Sequence, residues 1–522
     1  VSKQYESGLK LHNKILKGVN ALANSVASTL GPRGRNVILC AKNKRPIVTK
    51  DGVSVAKFIE FDDPFENVGA QIIKQAAAKT NAEAGDGTTT STVLAKAILE
   101  KAQKFLIAGA PPIELKRGID KAVAGIVENL KEISKPISSE EDIAHIATIS
   151  ANGDKTIGKL IATAVDLAGK DGAITIEEAR SIETSLDIVE GFRFDSGYLA
   201  SAFITDEKRG VVKYEDPLIL VTDEKIDTVD EMMPVLELIS REVRPCILVA
   251  DNIEGQALAA LIMNTVRGTL RVAAVKAPRY GEERRNILKD LALSVGATFI
   301  TRSDDLRLKD TKLTDFGTAK TFECSKNFTT IAGGRGKLED IEKRIDALKA
   351  ELEQTENMYE CEKIQERITR LVSGVAIIRV GAATEVEMIE KKHRIEDALA
   401  AVSAAQLEGI VPGGGIALIR ASKNLNIKVE NEDQQLGIKI VLEAIKEPLK
   451  QMAINAGDSP DLVFSTVKNQ KDPFGIDFVS GNEINMLEEG IVDPTKVTRC
   501  ALQNAASVAS TLITTNHAVI EV

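Results

Sequence analysis

The sequence predicts a multidomain α+β protein, and three observations carry that expectation. Its 522 residues exceed what one hydrophobic core organises, so several domains are expected. Alanine-rich stretches with apolar residues at helical spacing occupy both ends of the chain, and the centre alternates strand-like with helical runs. The balance of 43% hydrophobic and 27% charged residues is that of a globular protein, with aromatics at only 4%.

From the N-terminus, Leu9, Leu11, Ile15, Val19, Leu22 and Val26 predict a helix over Tyr5–Leu30, stopped by Gly31-Pro32-Arg33-Gly34. Strand-like runs follow at Val37–Leu39 and Ile47–Thr49, ending at Asp51-Gly52. Alanine-rich helices extend from about Val68 to Glu132 and break near Pro111-Pro112. Beyond Pro136, short helices mix with a strand-like Ala173–Ile176. Candidate strands Leu218–Thr222, Cys246–Ala250, Val272–Val275 and Ala297–Thr301, separated by helices, predict an α/β layer with a partly parallel sheet. Within that layer Leu338, Ile341, Ile345, Leu348 and Leu352 step by three and four, as do Cys361, Ile364, Ile368 and Leu371. An antiparallel helical hairpin broken at 355–357 is expected, its charges forming a solvated face. From Glu385 the alanine-rich helical texture returns, so one domain built from both chain ends, with others inserted between, fits the composition.

The net charge of −9 and the lack of a Lys/Arg-rich tract disfavour nucleic acid as a partner. Five cysteines without a CxxC pair predict free thiols in a reducing compartment, and four dispersed histidines disfavour a zinc site. No apolar run reaches membrane-spanning length and no signal peptide opens the sequence, so a cytoplasmic location is expected.

The run Gly85-Asp86-Gly87-Thr88-Thr89-Thr90 carries the most chemical information. Glycines let a backbone approach phosphate oxygens, free N–H groups at a helix start attract anions, and a carboxylate holds a hard cation such as Mg²⁺. An Asp-Gly turn with a threonine cap on an ordinary helix is the competing reading. No GxxxxGK[ST], GxSxG or HExxH is present, and Gly413-Gly414-Gly415 alone is weak.

Taken with Thr29–Val37, Thr49–Ala56, Ala84–Thr90, Leu115–Ala122, Ile149–Asn152, Val380–Glu385 and Asp493–Val497, the chain resembles the group I chaperonins over essentially its whole length. These are the bacterial and mitochondrial sixty-kilodalton heat-shock family. The resemblance implies a mainly helical equatorial ATP-binding and ring-contact domain (1–132 and 408–522), a small α/β intermediate hinge domain (133–189 and 376–407) and an α/β apical substrate-binding domain (190–375). It implies an ATPase that binds ATP and Mg²⁺, with K⁺ as a further ion. Thr29, Leu30, Gly31, Pro32 and Lys50 would line the nucleotide, and Asp86, Gly87, Thr88, Thr89 and Thr90 would hold Mg²⁺ and phosphates, with Asp86 as the metal ligand. Ile149, Ser150, Gly414, Asp477, Phe478, Val479, Ile491 and Asp493 would surround the nucleoside, and Asp51 and Asp397 would be catalytic. Phosphoryl transfer needs positioning and charge neutralisation more than covalent chemistry, which suits this set. Without the resemblance, Asp397 reads as a surface acid. Tyr198, Phe203, Met233, Leu236, Leu258, Ile262 and Met263 would form an exposed apolar rim for non-native polypeptides, where core packing is the competing reading. Heptameric homo-oligomeric rings are the further partner implied, while the family's separate lid co-chaperonin stays an open alternative to a divergent member that works without one.

Departures from the family pattern fall at Ala202, Arg279-Tyr280-Gly281, Ser373-Gly374 and Asp477-Phe478-Val479. Lys450 keeps a basic residue at the implied ring-to-ring contact, whereas Ser459 takes the place of its acidic partner, implying a weaker double ring. A passive holdase and a small-molecule kinase are the competing functional readings.

Overall fold

The structure, a computed structural model, describes residues 3–41, 46–168, 173–179, 181–207, 209–355, 357–372, 374–423 and 425–521. Ser373 and Glu356, within stretches singled out above, lie outside the described residues. Two compact units are present: residues 1–163 with 382–522, and residues 164–381. The first is therefore built from both chain ends.

The chain opens with β1 (Lys3–Ser7) and α1 (Gly8–Ala27), where a helix was expected from Tyr5. Tyr5 is instead in a strand because its partner is far away in sequence: β1 pairs antiparallel with the last strand, Tyr5 opposite Val519. There follow β2 (Val37–Leu39), β3 (Ile47–Thr49), α2 (Gly52–Phe58), α3 (Pro64–Ala84), α4 (Thr88–Ile107), α5 (Pro112–Ile133), α6 (Glu140–Ser150) and α7 (Lys155–Ala168). Leu11, Ile15, Val19, Leu22 and Val26 form the buried stripe of α1, as the helical period requires. Helix α3 starts with Pro64 behind Asp63, whose carboxylate accepts from the Phe65 and Glu66 N–H groups.

The second unit comprises β4 (Ala173–Glu178), β5 (Ser185–Phe194), β6 (Val212–Glu215), β7 (Leu218–Thr222), β8 (Lys225–Ile226), α8 (Val229–Arg241), β9 (Cys246–Ala250), β10 (Asn252–Ile253), α9 (Gly255–Val266), β11 (Val272–Lys276), α10 (Gly281–Val295), β12 (Phe299–Ile300), β13 (Gly317–Cys324), β14 (Thr329–Gly334), α11 (Leu338–Gln354), α12 (Met358–Val372) and β15 (Gly374–Val380). Its main sheet runs β11-β9-β7-β13-β14-β5-β15-β4, with β12 on β7 and β6 on β13. Parallel pairs β11–β9–β7–β12 meet antiparallel neighbours at β13, so the sheet is mixed. The strand expected at Ala297–Thr301 contracts to Phe299–Ile300.

Helices α11 and α12 form the expected hairpin around Ile345, Leu348, Leu352, Ile364, Ile368 and Leu371. One of its charges is not on a solvated face. Arg367 is 8% exposed and reaches Asp290 of α10, itself 2% exposed, through Nε (2.7 Å) and Nη2 (2.9 Å), and Arg344 adds a third bond at 3.2 Å. A buried charge is tolerated only when paired in this way.

The chain then returns to the first unit through α13 (Glu385–Glu408), β16 (Ile410–Pro412), α14 (Ala417–Ala421), α15 (Glu432–Ala444), α16 (Glu447–Ala456), α17 (Pro460–Asn469), β17 (Phe474–Ile476), β18 (Glu483–Asn485), β19 (Val492–Pro494), α18 (Thr495–Ile513) and β20 (His517–Glu521). One hydrophobic core joins α1, α3, α4 and α5 to α15 and α18. Helices α5 and α15 touch backbone to backbone, since a Cβ on Gly118 would lie 2.0 Å from the Gln434 carbonyl oxygen. Lys450 finds a carboxylate within the chain, Asp461 at 2.7 Å, two residues beyond Ser459. Among the described residues no helix is long and apolar enough to cross a membrane.

Candidate functional site

A cleft of about 350 Å³ opens in the first unit. It is lined by every residue named above for nucleotide, metal and hydrolysis, from Thr29 to Asp493, so eight separate stretches of sequence converge on one cavity.

Its floor is the junction between α3 and α4. Gly85 (φ 72°) ends α3 and Gly87 (φ 82°) precedes α4, both in the left-handed region that favours glycine. Gly87 has no side chain to cap α4, so the helix starts with its N–H groups toward the cleft. Asp86 lies between the glycines and is held by Ser150 Oγ donating to Oδ2 at 2.6 Å and the Gly87 N–H donating to Oδ1 at 2.5 Å. The Thr29 and Thr89 hydroxyl oxygens are 3.4 Å apart across the same floor.

One wall follows β3. Lys50 donates to the Gly31 carbonyl at 2.9 Å, and burial lowers its pKa. Asp51 Oδ1 accepts from the Val53 N–H, and Oδ2 accepts from the Ser54 N–H and, at 2.6 Å, from Ser54 Oγ. Its carboxylate thus caps α2, a structural use the sequence reading did not assign to it. The Thr29–Pro32 turn is tied down by Asn455, which donates to the Ala27 and Leu30 carbonyls at 2.9 Å each. Arg33 holds that turn against the Phe478 and Val479 carbonyls at 3.3 and 2.8 Å. Asp477 accepts from the Val479 and Ser480 N–H groups. Burial works to raise its pKa, but these bonds and nearby Arg33 hold it below the ordinary carboxylate value.

The opposite side carries Asp493 on β19, opposite Val411 of β16. Burial and the neighbouring Asp86 push its carboxyl up to about 7. Asp86 is raised too, first by burial and then by Asp51, with the Ser150 and Gly87 bonds working the other way. This is an acidic cleft with a cationic helix end and one lysine. Among the described residues no three His, Cys, Asp or Glu side chains are grouped to hold a metal alone. Mg²⁺ fits such a donor set, because it uses one or two carboxylates and takes phosphate oxygens and water for the rest.

Helix α13 completes the cleft. Asp397 lines it together with Glu390, His393 and Arg394, a face with the spacing of successive helical turns that sequence reasoning missed. Periodicity in charged residues was the available signal, hidden in a segment rich in charge on all sides. Arg394 is bonded to Glu390 at 2.7 Å and to Asp154 at 3.3 Å.

The expected apolar rim of the second unit is only partly exposed. Met233 and Met263 are each 49% exposed, whereas Tyr198, Leu258 and Ile262 are partly buried against the core. Phe203 (0%) and Leu236 (8%) are buried, a correction to the expectation of a rim. Phe203 closes the core beside β11 and α9, and Leu236 shares the buried stripe of α8 with Met232, Val235 and Ile239. Val266, at 71%, extends the exposed strip at the end of α9 and was not foreseen.

Residues 22–522 match the model of the TCP-1/cpn60 chaperonin family. Two solved structures of the chaperonin gp146 from the bacteriophage EL 2 (Pseudomonas aeruginosa), both in the presence of ATP-BeFx, align over 99% of this chain and 99% of theirs. Their TM-scores are 0.67 and 0.63, at 22% and 21% sequence identity, a likeness of fold.

Proposed function

This chain belongs to the TCP-1/cpn60 chaperonin family, and on that premise we propose that its cleft is the Mg-ATP site that drives the family's activity. That activity is ATP-dependent: non-native polypeptides are bound and folded in an oligomeric ring at the expense of ATP hydrolysis. The observation that carries the site assignment is the convergence of the uncapped α4 N-terminus, Lys50, Asp86 and Asp397 on one cavity. The presence of ATP-BeFx in the gp146 structures supports the same reading.

In this reading the α4 N–H groups and Thr88–Thr90 hold the phosphates, and Lys50 leaves the Gly31 carbonyl to meet their charge. Asp86 is the protein ligand of Mg²⁺, which when bound neutralises phosphate charge and relieves the crowding of Asp86, Asp51 and Asp493. K⁺ is a further cation for the phosphate side. Gly31, Gly414, Ile149 and the 477–479 turn enclose the nucleoside. Asp397 orients the attacking water and accepts its proton, while Asp51 holds α2 in place beside it. Residues 133–189 and 376–407 act as the hinge that makes hydrolysis conditional on closure. Met233, Met263 and Val266 present the polypeptide-binding strip, whose flexible methionines suit varied partners. We assign heptameric rings and a cytoplasmic location to the same reading.

The test is refolding of a denatured, aggregation-prone protein with ATP, with bound nucleotide and turnover measured in parallel for the unaltered chain, Asp86→Asn and Asp397→Ala. Loss of nucleotide in the first variant, and of turnover and refolding but not nucleotide in the second, is expected. Undiminished turnover in both would overturn the assignment.

A further inference from the structure

Four residues of α13 line the cleft, and their spacing sets their neighbours: Glu390, His393, Arg394 and Asp397. Residues four apart on a helix lie on one face with Cβ atoms roughly 5–6 Å apart. His393 is therefore one turn before Asp397 and shares its cavity. Arg394 is held by Glu390 and Asp154, which fixes the guanidinium at the side of that face. His393 also borders both this cleft and a neighbouring apolar cavity bounded by Ile47, Val48, Phe58 and Val386.

We propose that His393 is a positioning residue for hydrolysis that acts through Asp397, and that its neutral form is the active one. The inference rests on the Mg-ATP assignment above. A neutral imidazole hydrogen-bonded to the Asp397 carboxylate fixes its orientation toward the attacking water without drawing off its charge. Protonation turns that contact into an ion pair, and the Asp397 carboxylate becomes a weaker proton acceptor. The charged groups that line the two cavities His393 borders are Glu390, Arg394 and Asp397 on α13, Lys50 and Asp51 after β3, Lys57 on α2, Asp86 before α4 and Asp493 on β19, with Asp154 after α6 bonded to Arg394.

Steady-state ATP hydrolysis is measured from pH 5.5 to 8 for the full-length unaltered chain, His393→Gln and His393→Ala, together with nucleotide affinity. For the unaltered chain kcat is expected to fall toward the acid end of that range. In His393→Gln, whose amide keeps a hydrogen-bonding group that does not titrate, that fall becomes shallower, the Asp493 titration remaining in both chains. In His393→Ala kcat is expected to fall about fivefold at pH 8, the worth of one positioning hydrogen bond, with KM changed less than twofold. Superimposable pH profiles for the unaltered and Gln chains would overturn the proposal, as would a change confined to KM. If the unaltered chain binds no nucleotide in the cleft, the Mg-ATP assignment fails and takes this inference with it; normal binding with an unchanged profile removes the inference alone.

Discussion

Asp493 carries the clearest pH signature in the molecule. Its folded pKa of about 7 lies above the ordinary 3.8, so between those values the folded state holds a proton that the unfolded state has lost. Stability without nucleotide is therefore lost as pH rises from about 4 to 7 and the cost is constant above. Asp493→Asn removes that cost, and thermal melts should show a higher Tm than the unaltered chain at pH 8 but little difference at pH 4. An equal difference at both would rule it out. Asp51 is a second case, because its carboxylate closes α2 through three hydrogen bonds. Asp51→Ala should cost about 1 kcal/mol in denaturant unfolding, as an N-cap does, separately from any loss of turnover. An unfolding midpoint that stays put would show that the cap contributes nothing. Asp86 and Thr88–Thr90 are legible because they sit in a short run of glycine, aspartate and threonine whose chemistry is local, whereas the other cleft residues follow only from the family resemblance. Phe203 and Leu236 are not, because an apolar residue on a helix or turn has the same letter whether it faces core or water.

At the scale of elements, α11 and α12 depend on one buried charge cluster. Removing Arg367 leaves Asp290 buried with, among the described residues, only the 3.2 Å contact to Arg344. Arg367→Met should destabilise the second unit by about 3 kcal/mol, whereas Arg367→Met with Asp290→Leu should recover much of that loss. Equal loss in the single and double variants would show that packing, not the stranded charge, sets the cost. The stepping of Leu348, Ile364 and Ile368 makes this hairpin visible in the sequence. Nothing local marks Arg367 as different from the other arginines of α12, since its partner lies 77 positions away on α10. The same limit applies to α13: its helix is legible, while the facing of Glu390 and His393 emerges only when the elements enclosing the cleft are assembled.

For the whole molecule, composition alone anticipates a unit made of both chain ends, and the structure has one. The pairing that closes it is not anticipated. Lys3–Ser7 alternates too briefly to identify a strand, and its partner lies at 517–521. The intervening unit is contiguous, has its own core and ten-stranded sheet, and should fold as an isolated fragment of residues 164–381. A cooperative thermal transition in circular dichroism would bear this out, and a non-cooperative one would count against it.

The bond from the His12 ring to the Thr515 carbonyl spans 503 positions, and the β1–β20 ladder has similar reach. On a ribosome adding about 5–20 residues per second, the first helix emerges roughly 25–100 s before the strand that seals its unit. The contiguous unit is complete well before that. Through this interval the faces of α3, α4 and α5 that await α15 and α18 have no permanent cover. Each new copy of this chaperonin is for that time a nascent chain in need of shelter, and the rings already made are candidates to provide it.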